Sequence, residues 1–452
     1  MGYEPKISSI TYVKNGEKYI ESCIRSIINQ TMYDIEIIVV DGVSTDGTIQ
    51  ILNKLQSEDE RIQIMQVEGS VGAQFNAALN IAKGEYIAVC EGDDLIAADK
   101  YEKQYKIAKE HNLDVLRACY DLYFEYDGKE YKYKVEVAPE KKLYDRLIEI
   151  EDEEDFLSTF VNGFWNGLYS RQFLLSNDIY MNETKGASFQ DITFSFLSQM
   201  YARRIWYMSD SYHFYRIDNP NSSVNSEKCI QLLDTEYHLL QSKLKERGVW
   251  NKEKYMFLGW VASSYKQFAD RFPENQKLNL LDKLYTKLMD YHVNNEFEEL
   301  KIYYKVKEIL HALYESKDAF MKAMLSDDSQ MQKAYEFFES KKFKTENEMI
   351  LFGAGHFGGI IYDYLTICKK NIIVVDNSAE LQQTGFRGVC VNKPRICIEK
   401  DYPIIIANVH YALEIKQQLL QMGVDEQRII LCDNEDFFIR EIYMGLGLRA
   451  EK

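Results

Sequence analysis

The sequence predicts an α/β protein in which two regions of βα repeats are separated by a helical stretch. Three observations carry this reading: hydrophobic periods that alternate between strand and helix over the first hundred residues, a charged helix-periodic run with few glycines from 227 to 345, and a restart of the βα pattern at Met349. The length of 452 residues is about three times a common domain of roughly 150. Hydrophobic residues at 46% and charged residues at 28% are ordinary for a folded chain and exclude disorder as its main state. The expected domains are 1–226, 227–345 and 346–452.

Apolar runs at Ile7 to Val13, Ile35 to Val40, Ile62 to Val67 and Tyr86 to Cys90 read as buried strands of a parallel sheet. Between the first two, Ile20, Cys23, Ile24, Ile27 and Ile28 fall on one helical face. Ser44, Thr45 and Asp46 are N-cap residue types ahead of a second helix with Ile49, Leu52 and Leu55 on one side. Gly72 precedes a third helix carrying Phe75, Leu79 and Ala82, which Gly84 ends. Asp127 and Gly128 separate two alternating aromatic and charged runs, the pattern of a hairpin. Near the other end, Met349 to Phe352, Ile372 to Val375, Ile404 to Ala407 and Ile429 to Cys432 form the second set of strands.

A formal charge of −17 disfavours nucleic acid as a partner. No run reaches the ~18 apolar residues of a membrane span, and the start lacks the layout of a signal peptide. The 8 cysteines are scattered without CxxC spacing, which fits a reducing, cytoplasmic setting and small-hydrophobe roles. Peripheral contact with a membrane stays open, as does a homo-oligomer.

Open parallel sheets bind ligands beyond the carboxyl ends of their strands. Here Thr11 and Tyr12 lie near the end of the first strand, Asp41 ends the second, and Glu91, Gly92, Asp93 and Asp94 follow the fourth. A divalent cation is the natural neutraliser of such an acidic edge, and Mg²⁺ or Mn²⁺ commonly completes its shell with substrate phosphates. Acidic residues that merely favour the start of a following helix would leave the same pattern.

Four segments in order, Asn15-Gly16-Glu17-Lys18-Tyr19-Ile20, Ser26 to Thr31, Glu36 to Thr48 and Gly84 to Asp94, resemble the family 2 glycosyltransferases of the GT-A fold. The resemblance covers residues 6–110 and continues more loosely to about 225. It implies a GT-A-type mixed sheet whose nucleotide-binding half is Rossmann-like. It also implies that Asp41 contacts the nucleotide base, that Glu91 and Asp93 handle ribose and the diphosphate-bound metal, and that Asp93 is the metal ligand. Thr11, Tyr12, Asn15, Asn76 and Gly92 complete the implied donor site. Glu91 stands where the family usually has Asp, Gly42 where a second acid is common, and Phe75 where Arg is usual.

Further along, Trp165-Asn166-Gly167-Leu168-Tyr169 resembles the family's acceptor-side element, and Phe189-Gln190-Asp191 its ED motif with Gln in place of Glu. Asp191 is then the general base, which implies inversion at the anomeric carbon; an N-cap role for Asp191 is the alternative. Tyr212-His213-Phe214-Tyr215-Arg216 resembles a strand ending in Tyr-Arg, with Arg216 able to reach the diphosphate and Asn219 to Ser223 composed like a lid. His213 reads either as an additional metal ligand or as a core histidine with satisfied partners.

Gly353-Ala354-Gly355-His356-Phe357-Gly358 follows a predicted strand and opens a helix, the context that gives GxGxxG meaning. Asp376 ends the next strand about twenty residues on, so Gly353, Gly355, Gly358 and Asp376 are candidates for a second nucleotide. This tail resembles small Rossmann-like modules attached to sugar-handling enzymes.

The leading expectation is an inverting, metal-dependent transferase that moves a sugar from a nucleotide diphosphate, by family habit UDP, to a hydroxyl of a glycan acceptor. That acceptor is free or lipid-linked, and the setting is surface polysaccharide synthesis at the inner face of a membrane. The alternatives are an NAD-dependent sugar-nucleotide oxidoreductase or a non-catalytic nucleotide-sensing scaffold built on the C-terminal region.

Overall fold

A computed structural model of the chain describes residues 4–126, 128–138, 140–149, 163–186, 188–219, 229–269, 274–289, 304–325, 329–439 and 443. The chain divides into two compact units, Met1–Met324 and Leu325–Lys452. The boundary falls inside the helical segment 227–345 and not at either of its ends.

The first unit is built on a ten-stranded mixed sheet. Its strands are β1 (Ile7–Val13), β2 (Ile35–Asp41), β3 (Ile62–Gln66), β4 (Tyr86–Val89), β5 (Leu95–Ile96), β6 (Val115–Tyr126), β7 (Lys129–Val135), β8 (Leu147–Glu149), β9 (Leu168–Ser170) and β10 (Arg204–Arg216). The main path runs β3-β2-β1-β4-β9-β6-β10-β5, with β7 on β6 and β8 on β10. β3, β2, β1 and β4 are mutually parallel, as the apolar runs predict, whereas β9 enters antiparallel between β4 and β6. β1 and β2 are buried along their whole length because helices cover both faces, which is why their sequences are near-continuous apolar runs.

The helix Ile20–Ile28 buries Ile20, Cys23, Ile24 and Ile27 against this sheet. The helix Thr48–Glu58 starts later than Ser44 to Asp46 suggest; Gly47 occupies the cap position, and the Asp46 carboxylate still accepts from the Thr48 N–H at 3.0 Å. In the helix Val71–Ile81 the cap is Ser70, whose hydroxyl accepts from the Ala73 N–H, so Gly72 lies inside the helix. Gly72 is needed there because a Cβ would stand 1.9 Å from the Asn182 carbonyl oxygen. The hairpin forms between β6 and β7; Asp127 lies outside the described residues.

From Cys229 to Met324 the described residues form five helices, Cys229–Glu246, Trp250–Ala269, Glu274–Met289, Tyr304–Glu315 and Lys317–Met324. In the second unit, β11 (Glu348–Phe352), β12 (Asn371–Val375), β13 (Val391–Asn392), β14 (Ile404–Ala407) and β15 (Ile429–Cys432) make a separate all-parallel sheet. The order β13-β12-β11-β14-β15 puts a topological switch between β11 and β14. Among the described residues no helix is long and apolar enough to cross a membrane.

Candidate active site

The site forms where β1, β4 and β10 end together. Gly92 lets the turn after β4 lie against β1: a Cβ there would meet the Val13 side chain at 2.9 Å and the Tyr12 carbonyl oxygen at 3.1 Å. This close approach brings the Tyr12 hydroxyl onto the Glu91 carboxyl, to which it donates at 2.5 Å. Burial lifts the Glu91 carboxyl to about 8, with the charges of Asp93 and Asp191 adding to the shift and the Tyr12 bond opposing it. Burial beside Glu91, Asp191 and Asp94 pushes the Tyr12 hydroxyl up in turn. Glu91 therefore senses both Asp93 and Asp191, although Asp191 lies about a hundred residues further along the chain.

Asp191 is the first residue of the helix Asp191–Tyr201, and Gln190 takes the cap position without a side-chain bond. The N-cap alternative for Asp191 is thus not what the backbone shows. Phe189, just before, sits at φ +72°, a left-handed conformation that costs a bulky residue about 1 kcal/mol or more and turns the chain sharply into the helix. Burial raises the Asp191 carboxyl to about 6; the Glu236 charge adds to this, while the peptide N–H and the Arg117 guanidinium oppose it. A carboxylate with that value is ionised at neutral pH and basic enough to take a proton from a hydroxyl as it attacks. Asn182 binds Glu236 at 2.7 Å and Thr193 at 2.8 Å, tying the Asp191 helix to the helical segment.

Asp94 is fully buried and faces inward. Its carboxylate accepts from the Arg216 N–H at 2.8 Å and from His213 Nε2 at 2.8 Å. His213 Nδ1 lies 2.9 Å from Lys100 Nζ, so both ring nitrogens are engaged and neither is free to bind a metal. The core-histidine reading is the one the geometry supports. Burial, helped by the Lys100 charge, pulls the His213 imidazole well below its usual range, and burial draws Lys100 down to about 8.

Arg216 also donates from Nε to the Asp93 carbonyl at 2.9 Å and pairs with Asp218 at 3.2 Å. Its guanidinium lies 4.8 Å from the ring centres of both Tyr19 and Tyr123. Asn219 donates to the Asp93 carboxylate at 2.7 Å; positions 220–226 lie outside the described residues. In the element expected to face the acceptor, Trp165 stacks on Tyr215 at 4.9 Å and 4°, with Tyr120 edge-on at 4.8 Å. Arg117, almost fully buried, holds this element through Asn166 Oδ1 at 2.9 Å and the Gly163 carbonyl at 2.9 Å.

Of the expected donor-site residues, Thr11, Tyr12, Glu91, Gly92, Asp93 and Arg216 come together around this turn. Thr11 is buried with its hydroxyl unpartnered. Asp41 shares the strand edge, paired in register with Val13, but is fully buried; it accepts from the Ser44 N–H at 3.2 Å and Gln66 at 2.8 Å. Asn15 locks two loops together by accepting from the Thr45 N–H at 2.8 Å.

Asn76 departs from its expected place. Its amide bonds the Met181 backbone on both sides at 3.0 Å and Glu183 at 3.0 Å, because the side chain staples the helix Val71–Ile81 to the segment 180–184. There it lines an open cavity of about 620 Å³ with Asn80, Glu183, Leu239 and Lys243. Phe75, where the family usually has Arg, packs edge-on against Phe194 at 5.2 Å as plain core.

Among the described residues no group of three or more His, Cys, Asp or Glu side chains is arranged to hold a metal. The donor set still fits a cation that takes few protein ligands and fills its shell with phosphate oxygens and water. Asp93 and Glu91 provide hard oxygen donors, Glu91 once it gives up the proton that burial, with the Asp93 and Asp191 charges adding, lets it keep up to about pH 8.

The C-terminal fingerprint folds as a tight strand-to-helix turn. Gly353 has φ +116°, and a Cβ at Gly358 would stand 1.9 Å from the Gly353 carbonyl oxygen. Asp376 accepts from the Ala354 N–H at 2.8 Å and the Ser378 N–H at 2.8 Å, so the turn's amide and the acid expected on a ribose are bonded to each other.

Residues 8–175 match the family model described as Glycosyl transferase family 2, and residues 345–430 match that described as C2185-like, N-terminal. Glycosyltransferase GlyG of Streptococcus pneumoniae serotype 4 is 35% identical over 129 residues, 28% of this chain and 43% of that protein. Putative glycosyltransferase EpsH of Bacillus subtilis is 30% identical over 216 residues, covering 47% and 61%. The putative teichuronic acid biosynthesis glycosyltransferase TuaG of the same species is 37% identical over 145 residues, covering 32% and 57%. The chain spans less than two thirds of the length of each of these relatives. The crystal structure of S. aureus TarS 1-349 in complex with UDP-GlcNAc superposes with a TM-score of 0.51 at 20% identity, over 72% of this chain and 92% of that one. That likeness establishes the fold. The first unit therefore has the mixed-sheet fold of that structure, and residues 8–175 within it are similar to the family 2 glycosyltransferases.

Proposed function

We propose that this family 2 domain is an inverting, metal-dependent glycosyltransferase that moves a sugar from a nucleotide-diphosphate donor, UDP-linked, to a hydroxyl of a glycan acceptor in surface polysaccharide synthesis. The observation that carries the reading is that Glu91, beside Asp93 at the end of β4, also feels the charge of Asp191, with burial lifting the Glu91 carboxyl to about 8 and the Asp191 carboxyl to about 6. A bound Mn²⁺ or Mg²⁺ supplies charge neutralisation for the departing diphosphate.

The chain's own residues do the rest. Asp93 and Glu91 hold the cation and donor, with Tyr12 orienting Glu91. Asp191 accepts the acceptor hydroxyl's proton, and attack on the anomeric carbon from the face opposite the nucleotide inverts its configuration. Trp165 and Tyr120 present aromatic surface to the acceptor. Asp41, once released from Gln66, reaches the base. The proposed setting is the cytoplasm, against the inner face of a membrane that carries a free or lipid-linked glycan.

For the C-terminal unit the proposal is a Rossmann-like module in which a second nucleotide takes Asp376 over from the Ala354 N–H. The oxidoreductase and scaffold alternatives are not favoured, since the family match and the tuned carboxyls both fall in the N-terminal unit. The test is UDP release from a panel of UDP-sugars with Mn²⁺, followed by the anomeric configuration of the product. Release that persists in Asp191→Asn, or a retained configuration, would reject the mechanism.

A further inference from the structure

We propose that Lys100 and His213 are positioning residues of the donor site: a buried strut that aims the acidic turn by holding Asp94 from behind. The proposal rests on the transferase reading only for what the turn binds; the strut itself is argued from geometry.

Asp94, His213 and Lys100 are all fully buried. An isolated charge in such a place is costly, and so is an unpaired ring nitrogen. The three side chains remove both costs by forming one line, Asp94 Oδ2 to His213 Nε2 at 2.8 Å and His213 Nδ1 to Lys100 Nζ at 2.9 Å. With Asp94 as the carboxylate, the roles along it follow. A carboxylate accepts, so Nε2 carries the proton and donates; Nδ1 then has only its lone pair and accepts from the ammonium group. In that state a negative and a positive end flank a neutral imidazole.

The line is tied at each end to a different part of the site. At the acid end, Asp94 Oδ1 takes the Arg216 N–H, and β5, directly after the turn, pairs antiparallel with β10 through His213 and Phe214. At the basic end, Lys100 also reaches the Trp165 carbonyl at 3.4 Å, and the Trp165 ring lies 4.4 Å from the His213 ring centre. The strut thus joins the donor turn to the element that presents the acceptor-side aromatics.

The experiment compares His213→Phe, Lys100→Met and His213→Gln in the full chain. Glutamine keeps a donor for Asp94 and an acceptor for Lys100, whereas phenylalanine keeps only volume. The first readout is hydrogen exchange at the Arg216 amide, whose acceptor is Asp94. We expect it to quicken by about tenfold or more in His213→Phe and Lys100→Met, to stay near wild type in His213→Gln, and to leave the β4 amides unchanged in all three. The second readout is the Kd for UDP with Mn²⁺ by calorimetry, weakened about tenfold in the first two variants and restored in the third. Unchanged exchange at Arg216 overturns the strut. Faster exchange with unaltered UDP affinity overturns the positioning role. A wild-type chain without UDP affinity sinks the donor assignment alone, and exchange at Arg216 then decides the strut by itself. If His213→Phe does not fold, Lys100→Met decides both points through the same two readouts.

Discussion

At the end of β4, burial lifts the Glu91 carboxyl to about 8 with the charges of Asp93 and Asp191 adding to it, and burial lifts Asp191 to about 6. At the end of β11 a comparable strand-end turn meets a single carboxylate, and Asp376 and the Ala354 N–H satisfy each other at 2.8 Å. Both turns follow parallel strands, yet one leaves an electrostatic conflict for a ligand to settle and the other settles its own. The difference teaches that a strand-end motif marks chemistry when its polar groups are mutually frustrated, and marks packing when they are mutually satisfied.

The largest effect that sharpens this contrast is expected from Asp191→Asn, which should slow sugar transfer by roughly 10²–10⁴-fold while UDP affinity stays near wild type. Next is pH. With Asp191 near 6, transfer under subsaturating acceptor should rise with pH and level off above about 6, because the base works only when deprotonated. A flat profile between pH 5 and 7 would break the assignment. Asp93→Asn should weaken UDP affinity in the presence of Mn²⁺ by at least about tenfold and leave metal-free UDP affinity little changed, as read by calorimetry.

Smaller effects test stability on both sides of the comparison. Gly358→Ala drives a methyl into the Gly353 carbonyl and should destabilise the C-terminal unit by about 1–3 kcal/mol, seen as lost exchange protection in β11 and β12. Glu91→Gln should do the reverse in the N-terminal unit. The Glu91 carboxyl is raised in the folded state, so the folded chain holds a proton the unfolded chain has lost, and stability contributed by that proton declines as pH climbs from about 4.5 to about 8. The glutamine variant should melt about 2–4 °C higher at pH 8 and show little difference at pH 4.5.

Much of this was legible in the residues. The four parallel strands of the first unit and four of the five in the second stand within a residue or two of their apolar runs, because strands buried on both faces are written as continuous hydrophobic stretches. β5, β8 and β9 escaped because two or three residues carry no period, and their pairing is set by partners far along the chain. The acids after β4 and Asp191 were readable as motifs. Lys100, Arg117 and Glu236 were not, since a lysine or glutamate on a charged helix reads as solvent-facing and only tertiary contacts bury it. Asn76 was misplaced for the same reason: a polar residue on a helix says nothing of which backbone it will staple.

The division of the chain at 324/325 has a practical corollary for anyone cutting it. A fragment ended at 226, where the sheet's last strand is complete, would strip away the Glu236 carboxylate to which Asn182 and Thr184 are hydrogen-bonded, and with it the buttress behind the Asp191 helix. A fragment ended after Met324 keeps that buttress. The helices from Cys229 to Met324 are therefore better regarded as the rear wall of the first unit than as a tether.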